Sequence, residues 1–174
     1  MRARILKILS SIPIFYYESN VHRMRGREFL SPMHVAYIDV RFSVHATEDL
    51  EKVINAVQQV LPADHIDDIG FKKKTLRGHY GNPITLFDTR IKKKKVVEAF
   101  VDHLFSHLNE QDKESLLREI DQHVEEGSLY IRLDKQAAFP GEMRLCVADP
   151  IRVRIRFRKK RIEDIVEICR ELGM

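Results

Sequence analysis

The stretch Asp149–Pro150–Ile151–Arg152–Val153–Arg154–Ile155–Arg156–Phe157–Arg158–Lys159–Lys160–Arg161 decides how the chain is read. Ile151, Val153, Ile155 and Phe157 alternate without a break with Arg152, Arg154, Arg156 and Arg158. Period-two alternation with β-branched and aromatic residues on one side is the mark of a half-buried strand. The other side is then a row of guanidinium groups. With ~3.3 Å of rise per residue, side chains on one face recur every ~6.6 Å, close to the separation of successive phosphates along an extended nucleic-acid strand. Like charges on one face repel, so the row needs compensation. A polyanion, RNA foremost, would supply it. So would carboxylates such as Asp134 or Glu142 on adjacent strands. This stretch alone leaves both readings open.

Outward from it, the regular pattern begins at His34. Ala36, Ile38, Val40, Phe42 and Val44 alternate with Val35, Tyr37, Asp39, Arg41 and Ser43, which predicts a strand with one apolar face. Thr47 is expected to cap a helix with Glu48 and Asp49 in its first turn and Leu50, Val53, Ile54, Val57 and Leu61 as its stripe, ended by Pro62. Residues 69–77 and 84–91 read as two short strands around Gly78–Asn82–Pro83. Two helical patterns follow, one through Val97, Phe100, Val101, Leu104, Phe105 and Leu108, the other from Asn109 to Gly127. Residues 129–133, 143–147 and the arginine stretch read as three strands, and Ile162, Ile165, Val166, Cys169 and Leu172 lie on one face of a last helix. The expected class is α+β, in the order β-α-β-β-α-α-β-β-β-α. Short connections favour a largely antiparallel sheet with helices packed on one face, leaving the arginines on the other.

Residues 1–32 differ. Arg2, Arg4 and Lys7 precede a short apolar run, and Glu18–Glu28 is polar and basic. Lys7 interrupts the apolar part and no small-residue cleavage site follows, which argues against a secretory signal. The segment reads as a loosely attached basic extension, or as translated sequence upstream of a start at Met33; residues 34–174 form the expected domain.

A chain of 174 residues with 44% hydrophobic residues has room for one sizeable core. Cys146 and Cys169 form no metal-binding or redox pair, and no apolar run approaches the ~20 residues of a membrane span, so a soluble protein of a reducing compartment is expected. Net charge is only +4 but unevenly placed. Lys72, Lys73, Lys74, Arg77, Arg90 and Lys92 to Lys95 stand against Asp88 alone within residues 70–96, whereas residues 97–150 are acidic. Such polarity is the footprint of a phosphate-binding face.

Candidate contacts follow. Besides the arginine row, Lys160 and Arg161 extend the basic run. The segment Lys72–Lys73–Lys74–Thr75–Leu76–Arg77–Gly78–His79–Tyr80–Gly81–Asn82–Pro83 pairs phosphate-binding cations with glycines that let the backbone approach a ligand. His79 and Tyr80 offer stacking surfaces and Asn82 both a donor and an acceptor. An ordinary hairpin turn fits the same residues. Lys92 and Lys93 open a lysine run that would sit unfavourably at a helix amino terminus unless a phosphate binds there, or unless the helix begins only at Val96. No catalytic motif is present; His103 and His107 lack the partners of a metal site. No catalysis, cofactor or metal is expected.

Gly78–His79–Tyr80–Gly81–Asn82–Pro83–Ile84, followed by Asp149–Pro150–Ile151–Arg152–Val153, resembles an archaeal family of small RNA-binding proteins catalogued as predicted exosome subunits. The resemblance covers about residues 34–174. It implies a fold likened to the double-stranded-RNA-binding domain or a 5S-rRNA-binding ribosomal protein, non-catalytic RNA binding in the cytoplasm, and exosome or other RNA-processing partners. It carries over to the loop residues alone. With scattered basic patches and 8% aromatics, structured or double-stranded RNA fits best. The competing expectation is a protein-interaction subunit docking through its acidic helices, 97–126.

Overall fold

The computed structural model describes residues 34–78 and 81–174; the basic extension 1–32, Met33, His79 and Tyr80 lie outside the described residues. The elements run β1 (Val35–His45), α1 (Leu50–Val60), a 3-10 turn (Ala63–Asp68), β2 (Lys72–Arg77), β3 (Pro83–Ile91), α2 (Lys94–His107) and α3 (Glu110–Arg118). Then come α4 (Ile120–His123), β4 (Val124–Glu125), β5 (Ser128–Leu133), α5 (Lys135–Ala138), β6 (Ile151–Phe157) and α6 (Ile162–Glu171). The strands form one six-stranded sheet in the order β2-β3-β1-β6-β5-β4, and every neighbouring pair is antiparallel. The class is therefore α+β, as the patterning implies.

Alternation decides which face the helices cover. Ile38, Val40, Phe42 and Val44 of β1 share one buried cluster with Val153, Ile155 and Phe157 of β6 and Leu129, Ile131 and Leu133 of β5. Phe100, Leu104 and Phe105 of α2, Leu116 of α3 and Ile165 and Cys169 of α6 complete that cluster from the helical side. Arg41 is exposed and Arg152 is exposed on the opposite face of the same strands.

Five local expectations need correction. The helical pattern from Asn109 to Gly127 is broken at Glu119: α3 ends at Arg118, α4 is Ile120–His123, and Val124–Glu125 turn into β4. A β-bulge between Val35 and Tyr37 switches the parity of β1, so Val35, and not Ala36, enters the core. The cap of α1 is Asp49, whose carboxylate accepts from the Glu51 and Lys52 amides at 2.9 and 3.4 Å. Glu48 stays outside the helix, where it accepts from the His45 amide and from Lys135. Residues 143–147 are not a strand. Met143 and Leu145 make single bridges to Leu108 and Leu133, and the Leu145 amide donates to the Asp112 carboxylate at 2.8 Å, so this segment is tied across α3 and the end of β5 instead of joining the sheet. Finally, α2 begins at Lys94, between the two starts considered, with Lys93 as an N-cap that makes no side-chain capping bond.

Candidate nucleic-acid interface

Residues directly opposite in antiparallel pairs share a face, so the register turns the open side of the sheet into rows that cross the strands. One row runs Lys72–Asp88–Arg41–Arg152–Arg132, from β2 to β5. The next runs Arg90–Asp39–Arg154–Tyr130, and a third Tyr37–Arg156–Ser128. On the other side of the first row stand Lys74–Leu86–Ser43. The open face thus gathers Lys72, Lys74, Arg41, Arg90, Arg132, Arg152, Arg154 and Arg156 against Asp39 and Asp88.

The rows differ in how their charges are met. Asp39 receives Arg90 in a two-pronged pair at 2.6 and 3.0 Å, which raises the Arg90 pKa, and lies 3.8 Å from Nε of Arg154. The Arg90 guanidinium also lies 4.3 Å from the centre of the Tyr37 ring. Arg154 donates to the Tyr37 hydroxyl at 2.7 Å and sits 5.6 and 6.0 Å from the Tyr37 and Tyr130 rings. Arg156 donates to the Glu126 carbonyl and to Oγ of Ser128. Among the described residues, Arg41, Arg152 and Arg132 have no ion pair and no side-chain hydrogen bond, although Arg41 and Arg132 each stand directly opposite Arg152.

The expected carboxylate partners of the arginine strand are engaged elsewhere. Asp134 caps α5 through the Gln136 and Ala137 amides, and Glu142 pairs with Arg144 at 2.7 Å. Arg158 lies past the end of β6, where its amide donates to the His34 carbonyl. Arg161 is the N-cap of α6 and meets Glu163 at 3.4 Å. Lys160 passes beside Gly127, whose positive φ of 80° and contact with the Lys159 carbonyl leave no room for a Cβ there.

Lys72 and Lys74 join the open face, whereas Lys73 and Arg77 fall on the opposite parity; Lys73 lies 6.0 Å from the Phe87 ring. The Gly78 amide donates to the Asn82 carbonyl at 2.8 Å and that of Gly81, at φ 79°, to Gly78 at 2.9 Å, so these residues close the β2–β3 hairpin. Lys93 is paired with Asp68 at 2.6 Å, and this contact holds the Asp68 carboxyl below its ordinary range. Lys92 is exposed between β3 and α2. Single-strand patterning missed Arg41 and Arg132. Both alternate with core residues as the β6 arginines do, but only strand order brings them beside Arg152.

Other chemically capable groups are otherwise employed. His45, Glu48 and Asp149 lie close enough to share a cation, but the Lys135 ammonium already occupies that place. It is 7% exposed and donates to the Ser43 carbonyl at 2.7 Å, to Glu48 at 3.0 Å and to Asp149 at 2.6 Å. Burial works to raise the Asp149 pKa, but the hydrogen bond and charge of Lys135, with Ser43 and His45, bring it below the ordinary value. Nε2 of His103 is 2.8 Å from the Gln59 carbonyl, and burial lowers the imidazole pKa. The Cys169 thiol is pushed up to about 12 by burial, which suits a core residue and not a nucleophile. None of the described helices is long and apolar enough to cross a membrane.

The chain can now be set beside known proteins. It is 32% identical to RNA-binding protein PAB1135 of Pyrococcus abyssi over 139 residues, 77% of this chain and 90% of that protein. An uncharacterized protein of Methanocaldococcus jannaschii, MJ0213, is also 32% identical, over 75% of this chain and 93% of its own. Among solved structures, protein AF2318 from Archaeoglobus fulgidus superposes with a TM-score of 0.68 at 32% identity, covering 79% of this chain and 99% of that one. A family model described as RNA binding matches residues 37–157, from the first residue after the β1 bulge to the last of β6. The chain belongs to this RNA-binding family.

Proposed function

We propose that the protein grips structured RNA by its backbone and shape through the open face of the sheet, without catalysing a reaction on it. The observation that carries this reading is the excess of cations on the side of the sheet that the helices leave uncovered: Lys72, Lys74 and six arginines against Asp39 and Asp88. Phosphate contacts of this kind fix position and carry no base code. In sequence, His79, Tyr80 and Asn82 follow the lysines of β2 and add stacking and hydrogen-bonding groups to the reading, and Lys92 and Lys93 add charge before α2. The family resemblance supports an accessory role in cytoplasmic RNA processing or degradation, with the exosome as the assembly to test by co-purification.

The test is binding of the full chain to a structured RNA hairpin between 50 and 200 mM salt, with ultraviolet crosslinks mapped to residues. Affinity should fall steeply as salt rises, with a slope near −0.7 to −0.9 per phosphate contacted. Crosslinks should fall on β1, β5 and β6. Salt-independent binding, or crosslinks confined to α2 and α3, would overturn the reading. Docking of a protein through the acidic helices 97–126 would then take its place.

A further inference from the structure

The arginine strand on its own suggests RNA lying along β6, one phosphate per alternate residue. The register and the ion pairs point elsewhere. Along β6 the open-face arginines are unequal: Arg154 is tied to Tyr37 and lies beside Asp39, Arg156 is tied to Glu126 and Ser128, and Arg152 alone has no side-chain partner among the described residues. Across the sheet the situation reverses. Arg152 is flanked by Arg41 on β1 and Arg132 on β5, directly opposite on both sides and equally unpaired among the described residues. Strands lie ~4.8 Å apart, so this line of cations is at least as dense as the one along a strand. Like charges directly opposite one another destabilise a sheet. Since the adjoining row has an aspartate at its centre and this one places Asp88 only at its β3 position, the unmet charge is concentrated on β1, β6 and β5.

Two residues along β5 from Arg132, and therefore on the same face, Tyr130 stands opposite Arg154. It is 38% exposed, and the Arg154 guanidinium lies 6.0 Å from its ring centre. Aromatic rings and guanidinium planes are the surfaces on which unpaired bases stack in RNA recognition.

We infer that the RNA backbone crosses the strands along Arg41–Arg152–Arg132, perpendicular to β6, and that an unpaired base beside this path stacks on Tyr130. The inference rests on the open-face reading and names the ligand more narrowly: a structured RNA with an extruded nucleotide, not an uninterrupted duplex. Arg154, bound to the Tyr37 hydroxyl, lies beside the ring on which the base would stack.

Two RNA hairpins of identical stem, one with a single bulged nucleotide and one fully paired, test it by fluorescence anisotropy across a salt series. Arg41→Ala and Arg132→Ala should each shallow the slope of log K against log salt by ~0.7 to 0.9, as should Arg152→Ala, while Arg132→Lys keeps the slope. Thermal melts of each variant establish that it is folded. Tyr130→Ala should weaken binding of the bulged hairpin by roughly fivefold or more and leave the paired hairpin unchanged, with Tyr130→Phe close to wild type. If Arg152→Ala changes the slope and either flanking arginine does not, the RNA does not cross the strands and this inference falls, with the open-face reading intact. Equal loss on both hairpins for Tyr130→Ala overturns the stacking. If none of the three arginines affects the slope of a folded protein, the open-face reading itself fails.

Discussion

Replacing Lys135 with methionine preserves much of the side-chain length and removes its charge. Lys135, at the start of α5, ties together the carboxyl end of β1, the turn before α1 and the segment leading into β6, because its ammonium donates to Ser43, Glu48 and Asp149. Breaking a fully buried pair by removing one partner costs about 3–5 kcal/mol. Here the lysine side chain is 7% exposed, but Glu48 is 26% and Asp149 41% exposed, so solvent recovers part of the loss. A cost of about 2–3 kcal/mol is the reasonable expectation, and for a domain of this size that lowers Tm by roughly 8–12 °C. The pH dependence is diagnostic. In the wild type the Asp149 pKa is lowered, so its contribution is present above the unfolded carboxylate pKa of ~3.9 and is lost as pH falls through the folded value. Without the ammonium, only the Ser43 hydrogen bond and the His45 charge still oppose burial, so the Asp149 pKa rises relative to the wild type and the variant gains relative to it on acidification. Melting curves of both proteins at pH 7, 4 and 2.5 should show a gap that is widest at pH 7 and narrows below pH 4. A gap of constant width would mean that Lys135 contributes packing alone. No gap at all would refute the clamp.

Three further outcomes are expected. Gly127→Ala forces a Cβ to 2.7 Å from the Lys159 carbonyl at a backbone angle of 80°, and should cost about 2 kcal/mol or more in a denaturant titration. Because burial lowers the His103 pKa, the fold excludes a proton that the unfolded chain accepts. Stability should therefore decline as pH falls through ~6.5, and His103→Gln should remove that component from the pH–Tm profile. Deleting residues 1–32 should leave the fold and most of the affinity for RNA intact, because the alternating core pattern and the family match at 37–157 begin after that segment; loss of cooperative unfolding would show otherwise.

What could be read from the sequence was whatever depends on one segment at a time. Ile151 to Phe157 announces a half-buried strand because its alternation has no exception, and the helix stripes at Phe100 and Ile165 announce helices for the same reason. Pairing lies outside such patterns. Nothing near Arg152 in sequence says that Arg41 and Arg132 become its neighbours, nor that Asp39 and Tyr37 will engage Arg154. The bulge at Val35 shifts parity without a glycine or proline to signal it. Residues 143–147 carry strand-like alternation, yet a carboxylate from α3 takes the Leu145 amide that a ladder would have used. Lys135 gave no signal at all, since a lone lysine in a polar stretch reads as surface.

The place of β6 in the sheet bears on how the chain reaches this state. β1 is an inner strand, yet its partner β6 comes almost at the end of the sequence; Tyr37 and Arg154, joined by a hydrogen bond, are 117 positions apart. The β2–β3 hairpin and its pairing to β1 can form early, from nearby residues. One edge of β1 then remains open until residues 151–157 have left the ribosome, and closing so long a loop costs entropy before any contact repays it. Completion of the sheet is therefore a late event that waits for the carboxyl-terminal arginine strand. Until then the exposed edge of β1 is the part of the nascent chain most open to wrong pairing.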